Sequence, residues 1–81
     1  MKTNIKSLRR EIKVSQQVLG EAVGVTRQTI NALENGRYNP SLLLAYKITQ
    51  FLNEQYYEDN IEEYYNIEDV FIMDDEDGGG I

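Results

Sequence analysis

Two polar caps, Ser15 and Thr26, constrain this chain more than any other feature. Ser15 opens the run QQVLGEAV, in which Val18, Leu19, Ala22 and Val23 form one apolar stripe that stops at Gly24. Thr26 opens RQTINALE, with Ile30 and Leu33 expected inward and Asn35-Gly36 as the stop. A hydroxyl at a helix start accepts a bond from backbone N–H groups that have no intrahelical partner, so each cap fixes where its helix begins.

Two short helices joined by a turn of about three residues make a helix-turn-helix, whose first helix braces the second for entry into a major groove. Counted from Gln16, that motif wants apolar residues at Leu19, Val23, Val25, Ile30 and Leu33, a small residue at Gly20 and glycine at Gly24. Every position complies. Glycine inside a helix costs about 1 kcal/mol relative to alanine, so Gly20 reads as a position where two helices approach closely. The plainer alternative is a three-helix bundle that happens to contain a Gly-Val turn.

The formal net charge of -6 argues against a nucleic-acid partner unless the charge is unevenly placed. It is. Residues 1–52 hold all eight basic residues and only Glu11, Glu21 and Glu34, a local charge of +5; residues 53–81 hold eleven acids and no base. The total therefore describes a basic head joined to an acidic tail.

Around the central pair, Ile5, Leu8 and Ile12 recur at helical spacing after Thr3 and Asn4, which predicts a first helix over about residues 4–13. Pro40 and Ser41 open a fourth helix, SLLLAYKITQFLN, whose apolar content exceeds what one core face needs. Beyond Asn53, Tyr57, Ile61, Tyr64 and Tyr65 suit an amphipathic helix, and Asn66 is placed to cap a last turn, IEDVFIM. The terminal DDEDGGGI is expected to be disordered.

With 81 residues the chain is one small domain, near the size at which oligomerisation commonly supplements the core, so a dimer is expected. It has no cysteine and no histidine, which removes disulfides, Cys/His zinc sites, thiol nucleophiles and the usual proton shuttle. No enzymatic activity, cofactor or metal is expected; the clustered Asp74, Asp75, Glu76 and Asp77 lack a calcium-type loop around them. No apolar run is long enough for a bilayer and the start, MKTNIKSLRREIK, is not a secretion signal, so a cytoplasmic location without membrane contact is expected.

The run SQQVLGEAVGVTRQTINALENGRYNPSLLLAYKI resembles the Cro/C1-type helix-turn-helix family, in particular short stand-alone regulators with an S-R-Q-T-I-x-x-I-E-N-G-x-Y-N-P-S core. The likeness covers roughly residues 3–52 and, weakly, 67–71, where IEDVF is similar to the family's I-E-D-L-F. It implies an all-α, five-helix, lambda-repressor-like DNA-binding domain that represses transcription as a two-fold dimer on a pseudo-palindromic operator in double-stranded DNA. Here that domain carries an extended acidic, Tyr-rich C-terminal segment.

The resemblance puts Arg27, Gln28, Asn31 and Ala32 at base-reading positions and Gln16, Thr26, Asn35, Arg37 and Tyr38 at phosphate positions. Arg9 and Glu34 match an internal ion pair. The chemistry agrees for two of these: arginine forks onto guanine O6 and N7 and glutamine onto adenine N6 and N7, each worth ~1–3 kcal/mol of base discrimination. Tyr38 has the alternative of simply covering the core.

The family usually passes from the fourth helix to the last within a few residues, whereas this chain inserts about a dozen, roughly residues 54–65. The division expected is a DNA-binding core over 1–53, a segment over 54–73 that serves dimerisation, and the tail over 74–81. Phe51, Leu52, Tyr57, Ile61, Tyr64, Val70 and Phe71 are the expected dimer contacts, the tyrosines having the alternative of completing the monomer core. DVFIM is also readable as a strand pairing across the dimer. A different class of function stays open: an antitoxin or anti-repressor whose acidic tail binds a partner protein.

Overall fold

The computed structural model describes residues 2–59 and 65–72, with the side chains of 56–59 outside the description. Five helices follow one another, α1 (Ile5–Glu11), α2 (Gln16–Val23), α3 (Arg27–Glu34), α4 (Leu42–Asp59) and α5 (Ile67–Val70), between two short strands, β1 (Lys2–Thr3) and β2 (Phe71–Ile72). The caps define the central helices as their residue types dictate. Ser15 Oγ accepts from the Val18 N–H at 3.1 Å and Thr26 Oγ1 from the Thr29 N–H at 3.1 Å.

All three N-terminal helices end in the same hydrogen-bonded closure. Val14 donates to Arg9 O, Val25 to Gly20 O and Arg37 to Ala32 O, each at 2.9 Å, with a left-handed residue just before the donor. Gly24 and Gly36 take that conformation freely at φ 83° and 71°, whereas at the end of α1 it falls on Lys13, at φ 60°.

The core lies among the helices and is filled by Ile5 from α1, Leu19 and Val23 from α2, and Ile30 and Leu33 from α3. Leu44, Ala45, Ile48 and Leu52 come from α4, and Val70 and Phe71 from the C-terminal end. Thr49, polar on the same face of α4, is satisfied by donating to Ala45 O at 2.9 Å.

Four expectations need correction. The fold is not purely helical, because β1 and β2 pair antiparallel with Lys2 opposite Ile72 and Thr3 opposite Phe71. The partner that β2 finds lies in the same chain: Asn4 donates from its backbone to Val70 O and from its side chain to Asp69 O, both at 2.8 Å, which aligns β1 with β2. Thirdly, residues 54–59 are not a new helix but the continuation of α4, since neither glycine nor proline interrupts the chain after Pro40 until Gly78.

Finally, Leu52, Val70 and Phe71 are buried in the core of a single chain and have no surface left for a dimer contact. Phe51 is half-buried against the same core. The expected contacts of Tyr57, Ile61 and Tyr64, and the tail over 74–81, lie outside the described residues. Where the chain is described again, Asn53 ties it to α4: its Nδ2 donates to Tyr65 O at 2.8 Å and its Oδ1 accepts from the Tyr65 N–H at 2.6 Å.

Candidate nucleic-acid interface

The α2–α3 pair is set by backbone approach. A Cβ on Gly20 would stand 2.8 Å from Val25 O and 3.2 Å from the Thr26 carbonyl, so only glycine lets the turn fold back onto α2 at this distance. Val25 packs against the core and Gly24 supplies the left-handed step, which turns the chain into α3 with its N-terminal end outward.

On the first turn of α3, Arg27 and Gln28 are exposed and make no hydrogen bond or ion pair among the described residues. Their polar ends remain available to a ligand because Thr26 and Thr29 satisfy the helix end between themselves. Further along, Asn31 is exposed and Ala32 half-buried. The Asn35 side-chain amide is committed within the chain, with Nδ2 donating to Asn31 O at 2.9 Å and lying 3.3 Å from Asn31 Oδ1. Just past the closure of α3, Arg37 is exposed and Tyr38 is 45% exposed, so the tyrosine does not cover the core.

Behind this face, Arg9 forks onto Glu34, Nε to Oε2 at 2.9 Å and Nη2 to Oε1 at 3.1 Å, and its Nη1 donates to Val14 O at 3.1 Å. Gln16 Nε2 completes the cluster by donating to Glu34 Oε1 at 3.0 Å. Gln16, half-buried, thus commits one donor of its amide to Glu34. Among the described residues, the backbone N–H groups of Gln16 and Gln17 are left open at that end of α2, where the helix dipole favours an anion.

Sequence reasoning missed the work of Asn4 and Asn53, both of which hold the C-terminal segment. The signal either gave was an asparagine at an expected helix boundary, Asn4 at the start of the first helix and Asn53 at the expected end of the fourth, which in the structure lies inside α4. It also missed that the apolar surplus of α4 lies at its start: Leu42 is 78%, Leu43 61% and Tyr46 52% exposed.

Two helices braced through a glycine, with an Arg-Gln pair leading the second that is exposed and unpartnered among the described residues, define a helix-turn-helix unit. The chain matches the helix-turn-helix family over residues 5–58 and belongs to it, in the Cro/C1-type branch, a family of transcriptional regulators rather than of enzymes. It is similar to an HTH-type transcriptional regulator of Methanothermobacter thermautotrophicus, 49% identical over 96% of this chain and 97% of that one. It is also similar to the HTH-type regulator YgzD of Bacillus subtilis, 45% identical over 94% and 98%, and to MJ0272 of Methanocaldococcus jannaschii, 39% identical over 95% and 100%. Among the described residues, no helix is long and apolar enough to cross a membrane.

Proposed function

We propose that this protein is a sequence-specific DNA-binding transcriptional regulator, a homodimeric autorepressor that reads a pseudo-palindromic operator through α3 in the major groove. The observation that carries the reading is the Arg27-Gln28 pair on the first turn of α3, exposed and without a partner among the described residues. Arginine and glutamine at that place suit bidentate bonds to guanine and adenine edges in a major groove. The names of the similar proteins support regulation of transcription. Phosphates are then held by the open N–H groups of α2 and by Arg37, and the basic head of +5 supplies the sequence-independent attraction.

A two-fold dimer is supported by Leu42, Leu43 and Tyr46, an apolar face that one chain leaves uncovered. Each chain measures 39 × 28 × 20 Å, a size at which two copies side by side span the ~34 Å between half-sites one helical turn apart.

The test is a titration against labelled DNA from upstream of its own gene, with a scrambled duplex and the Arg27→Ala/Gln28→Ala variant as controls, at two salt concentrations. Preference for the native sequence that weakens with salt and is lost in the variant supports the reading. Equal, weak binding to both duplexes overturns autoregulation.

A further inference from the structure

We propose that the acidic run Asp74, Asp75, Glu76 and Asp77 docks at the end of the recognition helix α3, on Lys2 and Arg37, and competes there with DNA phosphates. The docking itself is independent of the DNA reading; its consequence for affinity rests on that reading.

The argument starts from where the described chain ends. Strand β2 is held against β1 with Ile72 opposite Lys2, so the nine residues that follow Ile72 start from a fixed point. That point borders a hollow of about 470 Å³ whose lining includes Lys2, Thr3, Glu34, Asn35, Gly36 and Ile72. The strand pair thus places Ile72 at the exit of α3, beside the residues that directly precede Arg37. Asp77 lies five residues beyond Ile72, and at ~3.4 Å per extended residue all four acids are confined within about 17 Å of it.

Charge decides what such a segment does there. Lys2 and Arg37 are exposed and have no ion pair among the described residues, whereas the nearby Glu34 carboxylate is already neutralised by Arg9. The hollow therefore offers an incoming anion Lys2 in its lining and Arg37 next in sequence to its lining residue Gly36, and among the described residues its lining holds no unpaired acid. Carboxylates and phosphates use the same donors, so tail and DNA exclude each other. Non-specific binding, which rests on phosphates, suffers most; operator binding retains its base contacts. The tail then raises the ratio of specific to non-specific affinity.

The test compares the full chain with Asp74→Asn/Asp75→Asn/Glu76→Gln/Asp77→Asn, which keeps length and β2 intact. Amide chemical shifts of Lys2, Asn35, Gly36 and Arg37 are expected to differ between the two at low salt and to converge at high salt. Unchanged amides at these positions overturn the docking whether or not the protein binds DNA. On a scrambled duplex at low salt the variant is expected to bind about three- to tenfold more tightly. A second quadruple, Glu54→Gln/Glu58→Gln/Asp59→Asn/Glu68→Gln, removes the same charge elsewhere; an equal gain from it assigns the effect to net charge and overturns the competition. Shifted amides with no binding to any duplex by either protein keep the docking and sink the DNA reading instead.

Discussion

The Arg9 guanidinium and the Glu34 carboxylate meet in a two-pronged contact, 2.9 Å from Nε to Oε2, with side-chain exposures of 12% and 3%. It ties α1 to the end of the recognition helix, and Gln16 brings the start of α2 into the same cluster. Removing one partner leaves a nearly buried charge without its counter-ion. Arg9→Ala is therefore expected to lower stability by about 3 kcal/mol, a large share of the total for a domain of this size. The apolar double variant Arg9→Met/Glu34→Leu should recover most of it. Denaturant midpoints check both, and a single variant within 0.5 kcal/mol of wild type, an order-of-magnitude bound for ordinary surface changes, would refute the claim.

Gly20 tests whether close approach outweighs helix propensity. Alanine gains about 1 kcal/mol of propensity in a helix interior, but its Cβ would meet a backbone carbonyl at 2.8 Å, and backbone yields less readily than a side chain. Gly20→Ala is expected to destabilise by a net 1–2 kcal/mol, roughly the usual cost of overpacking. A variant that melts higher than the parent would show that the turn relaxes cheaply.

The opposite sign is expected at the end of α1. Lys13 occupies a left-handed position that glycine fills at the ends of α2 and α3. Lys13→Gly should stabilise by about 0.5–1 kcal/mol, the strain relieved exceeding the entropy that glycine adds to the unfolded chain. For a chain of this length that is a rise of a few degrees in Tm, read by thermal melting.

The exposed start of α4 is where dimerisation is expected. Leu42→Glu/Leu43→Glu should leave the helical circular dichroism nearly unchanged, because neither side chain is in the core, and lower the melt only by what dimerisation contributes. Sedimentation should show a dimer for the parent and a monomer for the variant. If both sediment as monomers at operator-binding concentrations, the proposed two-fold assembly is wrong.

Arg27→Ala and Gln28→Ala separate recognition from folding. Both side chains are exposed and unpartnered among the described residues, so each variant should keep its stability within about 0.5 kcal/mol. Each should also lose ~1–3 kcal/mol of preference at one base position, measured by titrating single-base operator variants.

The amino-acid order alone determined the local features. Ser15 and Thr26 cap, Gly24 and Gly36 stop, and the stripes of Leu19, Val23, Ile30 and Leu33 face inward, because these effects act within one or two turns of helix. The Arg27-Gln28 pair was legible for the same reason, its position following from the cap beside it. Tertiary structure decided what depends on partners distant in sequence. Gln16 looked free at a helix start until Glu34, brought beside it by the fold, claimed its amide. Val70 and Phe71 looked like interface residues until Asn4, 66 positions before Val70, fixed the chain end over the core. The apolar surplus of α4 was legible, but that it falls on Leu42 and Leu43 was decided only when Leu44, Ala45 and Ile48 took the core face. An apolar residue declares that it will be covered; only the assembled fold decides by what, since burial is non-directional and caps are not.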